Sequence, residues 1–229
     1  MPYHEHETHI LPMKARSILA GATLFSVLAG YVNLTMFEAT KNTLSHMTGS
    51  ISRLSEAMFR VQGLDISAWH FLIIIASFVL GAGFSGVILS GHILKPGRHY
   101  GLLMVLESAW LLIANFVFTK SPWFSVYLVS LAMGQQNAMA SSYRGLVIRT
   151  THMTGILTDL GFLLGAAVKR HSLDKWRLGF FLLILLGFFA GGWMGLVGYT
   201  SFGINSLRIP GAILFLGGVL YLWQIEESR

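Results

Sequence analysis

Six stretches of the chain are apolar over the length of a whole helix: 17–37, 69–91, 100–118, 122–143, 178–200 and about 205–223. Each runs to about 20 residues, enough for an α-helix to cross the hydrocarbon core of a bilayer. The pattern predicts an all-α, polytopic membrane protein. Two further segments, 43–62 and 146–168, raise the rival count of eight spans. The first of them holds Arg53, Glu56 and Arg60, too much charge for a lipid-facing span. With six transmembrane helices, both segments are expected to be re-entrant or interfacial helices. The first apolar stretch is full length with no small-residue cleavage site after it, so it is expected to stay as a span.

The polar residues between these stretches repeat. His46-Met47-Thr48-Gly49 recurs as His152-Met153-Thr154-Gly155, an offset of 106 residues, and each copy follows a hydroxyl residue, Ser45 or Thr151. Gly30 and Asn33 answer to Gly134 and Asn137, two residues out of register. Trp69 answers to Trp176, and Gly81 and Gly86 align with Gly187 and Gly192 at the same offset of 106. Self-similarity of this kind reads as an internal duplication. It divides the chain into a tail (1–16), a first repeat of three spans (17–118), a second (122–223) and a short tail (224–229). An odd number of spans reverses direction, so the second repeat is expected to lie upside down relative to the first. Inverted repeats of this sort recur in secondary transporters, and channels use them too.

Charge adds an orientation. If the N-terminus is cytoplasmic, that side holds Lys14, Arg16, Lys95, Arg98, Arg144, Arg149, Lys169, Arg170, Lys175, Arg177 and Arg229. The other side holds Lys41, Arg53, Arg60, Lys120 and Arg208, a split of 11 to 5. Cations collect on the inner side, so both termini are expected in the cytoplasm. The net charge of +6 then reflects orientation and gives no reason to expect a nucleic-acid partner. A hydrophobic content of 54%, a charged content of 11% and a mean hydropathy of +0.63 fit the membrane class. The absence of Cys excludes disulfides and thiolate metal sites. His4, His6 and His9 in the HEHETH segment read as a polar tail, and no metal or cofactor is expected. No nucleophile elbow, P-loop, HExxH or dinucleotide fingerprint stands in a fitting context, so no enzyme is predicted.

The candidate site is the repeated motif. Ser or Thr ahead of it can cap a helix that starts near Thr48 or Thr154. Gly49 and Gly155 permit close backbone approach. The free N–H groups of such a helix start can hold an anion or an oxygen-rich group. His46 and His152 bring imidazoles, the side chain that ordinarily titrates near neutrality. Asn33 and Asn137 offer donors and acceptors to the same interior. Arg149 precedes the second copy. The plainer reading is that these small and hydroxyl residues only let helices pack and cap broken segments. Glu107 falls mid-span among Leu, Met, Trp and Ala, where a carboxyl marks a cavity or a partner, and it is a candidate for proton coupling. At the repeat offset its counterpart is Ile213. Asp159, the second candidate for proton coupling, lies two helical turns beyond His152; its first-half counterpart is Arg53, so the two can pair if both approach the axis between the repeats.

The run GQQNAM at 134–139 followed by RTTHMTGILTDLG at 149–161 resembles a signature of the YoaK family of bacterial inner-membrane proteins. AGYVN at 29–33 and SHMTGS at 45–50 resemble another element of it, and the likeness spans about residues 17–223. The resemblance implies a small multi-pass protein of the bacterial inner membrane and supplies no activity. The chain departs from that family at Asn33, where Asp is usual, and at Ser50, where Asn is usual, so proton coupling is not carried over to position 33.

These readings converge on a secondary transporter or permease for a small polar or anionic solute, with membrane lipids around it. The other class is a non-transporting subunit that meets further copies or a larger membrane complex. Topology has a direct check. Single cysteines placed at Lys95 and at Lys120 are expected to react with an impermeant reagent from opposite sides of the membrane, and reaction of both from one side would rule out the six-span arrangement.

Overall fold

The computed structural model of the chain describes residues 12–42, 44–60, 66–89, 98–141, 150–170 and 173–227. Among these residues every regular element is helical: α1 (Pro12–Thr40), α2 (Met47–Arg60), α3 (Ile66–Leu89), α4 (Arg98–Val117), α5 (Pro122–Ser141), α6 (Met153–Arg170), α7 (Lys175–Phe202) and α8 (Arg208–Glu227), with a 3-10 turn at Gly203–Leu207 before α8. The six longer apolar helices match the six predicted stretches, and α2 and α6 begin inside the two HMTG motifs. Four stretches are long and apolar enough to cross a membrane: Leu19–Thr40, Ser67–Leu89, Arg98–Val117 and Lys175–Glu226, the last containing both α7 and α8. Between Ser125 and Asn137, α5 carries Ser130, Gln135 and Gln136 fully buried, so its polar groups are spent inside the bundle.

Local chemistry sets several helix ends. The Asp174 side chain accepts from the Arg177 N–H and caps α7, and Gly203 closes it at φ 58°. Lys41, at φ 58°, turns the chain out of α1 while its N–H reaches the Phe37 carbonyl at 2.7 Å. Proline opens α5 at Pro122, where a missing N–H costs nothing.

Three helix pairs hold the bundle: α1 with α7, α3 with α5, and α4 with α8. Their contacts occur where one helix has no side chain. Gly191 lies against the Val27 backbone and Gly195 against Tyr31, four residues on in both helices, so α1 and α7 run parallel. Gly81 lies against Leu131, and the Ser85 hydroxyl donates to the Gln135 carbonyl at 2.7 Å, so α3 and α5 are parallel as well. Gly101 approaches Gly218 while the Ser108 hydroxyl donates to the Gly211 carbonyl at 2.7 Å, so α4 and α8 are antiparallel.

The contacts recur between the two halves. The Ser26 hydroxyl donates to the Ile184 carbonyl at 2.7 Å, and the Ser130 hydroxyl donates to Ile74 at 2.8 Å. Gly30 sits on Phe188 as Gly134 sits on Phe78, and Gly191 sits on Val27 as Gly81 sits on Leu131. Helix α5 therefore follows α1 at an offset of 104, and α7 follows α3 at 110. This corrects the alignment drawn at 106. The packing counterpart of Gly81 is Gly191 rather than Gly187, and the position matching Glu107 is Gly217 rather than Ile213. Gly83 and Gly86 do not belong to the packing face, because both are exposed with open space where a Cβ would stand.

At Gly134 and Gly191 a Cβ would collide with a facing backbone, which cannot move aside as a side chain could. Gly134→Leu and Gly191→Leu are expected to lower stability by about 1–3 kcal/mol or more, whereas Gly83→Leu should stay within about 0.5 kcal/mol. Thermal unfolding in detergent, read beside size-exclusion profiles, checks the contrast.

Candidate functional site

A cavity of about 610 Å³ lies where the two copies of the motif meet. Residues 45–49 and Ser52 line it from the first copy, and residues 151–154 from the second. Phe78 and Ala82 on α3, with Gly134, Asn137 and Ala138 on α5, complete the wall. Helices α2 and α6 both start at this cavity. The His46 carbonyl accepts from the Ser50 N–H at 3.2 Å and the His152 carbonyl from the Ile156 N–H at 3.1 Å, so each histidine is the last residue before its helix. The next N–H groups in each first turn have no carbonyl one turn earlier within their helix. Two helix starts facing one space make it a region of positive potential without a charged side chain.

Both motifs are fixed by the same bond. The Ser45 hydroxyl donates to Asn33 Oδ1 at 3.0 Å, and the Thr151 hydroxyl donates to Asn137 Oδ1 at 2.8 Å. This corrects the expectation that these hydroxyls cap α2 and α6. They tie the motif back to the preceding long helix, and the Asn137 amide is steadied in turn by donating to the Met133 carbonyl at 3.0 Å. Gly155 also has a different reason from the one expected. A Cβ there would meet the His152 ring rather than another helix, so the glycine makes room for the imidazole of its own motif.

The structure brings His46, Thr48, Gly49, Asn137, His152 and Thr154 to one cavity. Asn33 anchors the first motif from outside the wall. Gly155 lies under His152, and Arg149 falls outside the described residues. Asp159 is exposed on α6, and no ion pair joins it to Arg53, whose guanidinium donates to Asn42 at 3.4 Å. Glu107 is fully buried in α4, away from the cavity wall, with no hydrogen-bond partner for either oxygen. The histidines of the N-terminal tail, His92 and His171 lie outside the described residues. Among the described residues no three His, Cys, Asp or Glu side chains gather as a metal site.

Sequence reading missed Phe78, Ala82 and Ala138. For the two alanines a signal lay in comparing the halves, whereas Phe78 matches Phe188 and gave none. At the packing offsets, Ala138 corresponds to Leu34 and Ala82 to Gly192, and the Leu34 side chain comes within 4.0 Å of where a Gly192 Cβ would stand. Where the second half has the alanine that lines the cavity, the first half has a leucine.

Comparison with known families adds one finding. A family model described as "Protein of unknown function (DUF1275)" matches residues 21–220. The chain belongs to the DUF1275 family. That match covers all eight helices in whole or part, and both motifs. No curated protein and no solved structure matches the DUF1275 chain significantly.

The Asn–hydroxyl pairs carry a prediction. Thr151→Val and Ser45→Ala each remove one hydrogen bond to a partly buried amide oxygen and are expected to cost about 0.5–1.5 kcal/mol. Restoring the hydroxyl as Thr151→Ser should recover most of the loss in the same unfolding measurement.

Proposed function

We propose that this DUF1275 protein is a secondary transporter or permease for a small polar or anionic solute, and that the cavity between the two motifs is its solute site. One observation carries the reading: both copies of a duplicated motif wall a single cavity, with two helix starts facing into it. Such starts favour anions and oxygen-rich groups through backbone N–H donors and the helix dipole. The roles then follow position. The first-turn N–H groups at Thr48, Gly49 and Thr154 hold the solute's oxygens, His46 and His152 bound it, and Asn137 adds a polar contact. Arg149 would add positive charge beside the second motif.

In the same reading the chain crosses the membrane six times as two inverted repeats of three spans, 17–118 and 122–223, with α2 and α6 as re-entrant or interfacial elements. The helix directions support this. Spans that alternate in direction, with equivalent helices of the two halves opposed, require α1 parallel to α7, α3 parallel to α5 and α4 antiparallel to α8, which are the directions found. The cation distribution supports cytoplasmic termini, and the YoaK resemblance supports a bacterial inner membrane. The rival reading, a subunit without transport, draws on the exposed face of α3 at Gly83 and Gly86, a surface suited to another helix.

The test is cavity filling. Ala138→Leu gives the second half the residue of the first, Leu34, and is expected to leave the protein folded. Purified protein should be screened for thermal stabilisation by small carboxylates, phosphate and sulfate, and any stabilising anion followed as labelled uptake into proteoliposomes. Uptake should fall at least about tenfold in Ala138→Leu, since a blocked cavity forfeits about 1.4 kcal/mol or more of binding. Undiminished uptake in that variant, or no uptake of any anion, would discard the cavity as a transport site.

A further inference from the structure

The most isolated polar group in the bundle is Glu107. It is fully buried, and neither carboxyl oxygen has a hydrogen-bond partner. Its surroundings explain why. Gln135, fully buried on α5, donates its amide N–H to the Leu103 carbonyl at 2.7 Å and accepts from the Trp110 indole N–H at 3.0 Å. Leu103 is one turn before Glu107, and its carbonyl is the one that the Glu107 backbone N–H meets in an α-helix. Gln135 therefore rests on α4 with one N–H and its amide oxygen engaged by Leu103 and Trp110, four residues before and three after Glu107. A carboxylate here would have neither water nor a donor, whereas a neutral carboxyl needs little from its neighbours.

No counter-charge is provided by the elements packed against α4. Arg98 is bonded to Glu226 at the far end, and Arg208 of α8 donates to Asn115 at 2.8 Å. Among the described side chains, the other titratable groups on these elements are His99 and Tyr100 on α4, Tyr221 on α8, and His70 of α3 bonded to Tyr127 of α5. None of them is a partner of Glu107. A metal ion is poorly served here too, because it wants several oxygen ligands and the Gln135 oxygen is already taken by Trp110. A proton needs one oxygen only.

Helix α5 links this group to the cavity. Gly134, Asn137 and Ala138 line the cavity, and Gln135 is the residue after Gly134, about 100° further round the same helix. A shift of α5 along its axis would therefore move the cavity wall and Gln135 together, since both belong to one rigid helix. The duplication does not explain the group, since the matching positions for Glu107, Trp110 and Gln135 are Gly217, Leu220 and Tyr31. We propose that Glu107 is a one-proton site that gates the cavity: it is neutral in the arrangement described, and its ionisation shifts α5 against α4 and changes access to the cavity. The step is binding or release of one proton at a carboxyl oxygen, exchanged with water, with no other reactant. It rests on the cavity being the solute site only for its purpose, not for its occurrence.

The chain has no cysteine, so Ala82→Cys gives a single reporter on the cavity wall. Its rate of maleimide labelling in lipid nanodiscs is measured from acid to alkaline pH, with and without Glu107→Gln. The ratio of the two rates cancels the pH dependence of the thiol and of everything else that both proteins share. A one-proton gate changes that ratio by up to about tenfold per pH unit across its titration. Infrared difference spectra should show a protonated carboxyl signal in the wild type that Glu107→Gln removes. A flat ratio, or a carboxyl signal that survives the substitution, overturns the proposal. If Glu107→Gln does not fold, Glu107→Asp takes its place: the signal must then shift with the shortened side chain, and an unshifted one overturns the proposal. A flat ratio in a protein that still takes up anions removes the gate and leaves the transport reading standing. A pH-dependent ratio without anion uptake does the reverse.

Discussion

Everything in this bundle depends on helix backbones touching. In lipid, apolar side chains gain nothing by turning inward, so association has to come from close packing and from polar contacts between helices. The chain meets that requirement at Gly30, Gly81, Gly134 and Gly191, where one backbone rests on another. Beside them Ser26 and Ser130 give their hydroxyls to carbonyls of the facing helix. Small residues set the distance and serines set the register. Larger apolar residues, including Val79, Phe84, Phe189 and Trp193, are left on the outside.

The cavity follows from that frame. The long helices are fixed in pairs, and Asn33 and Asn137 then hold the turns that lead into α2 and α6. The motif thus has two separable parts: a hydroxyl that fastens the turn, and a histidine that ends it and begins a helix. The fastening bond is the same in both halves, but the residue one position after each asparagine is not: Ala138, on the cavity wall, stands where the first half has the bulkier Leu34.

Much of this was legible in the sequence, for identifiable reasons. Apolar runs of helical length locate the six long helices because a bilayer tolerates few alternatives. The charges of Arg53, Glu56 and Arg60 rightly set α2 apart from them. Repetition of HMTG pointed to the residues that share the cavity. Pairing was less legible. The 106-residue offset of the motif does not hold for the helices on either side, so alignment by that number mismatched Gly81 and gave Glu107 the wrong counterpart. The roles of Ser45, Thr151 and Gly155 were misjudged for a related reason. A hydroxyl before a helix start usually serves that helix, and only tertiary placement of Asn33 and Asn137 redirects it.

The helix pairing also bears on how such a chain could arise. All three main pairs, α1 with α7, α3 with α5 and α4 with α8, take one helix from each half, and the last joins a helix to its own counterpart. A half on its own would have glycine-lined faces with nothing to close on. Two separate copies of one half would satisfy all three pairs, each lending its first long helix to the other. The helix pairing is therefore the one that two copies of a half would make, and residues 118–121 join those halves in one chain, where a change in one need not appear in the other.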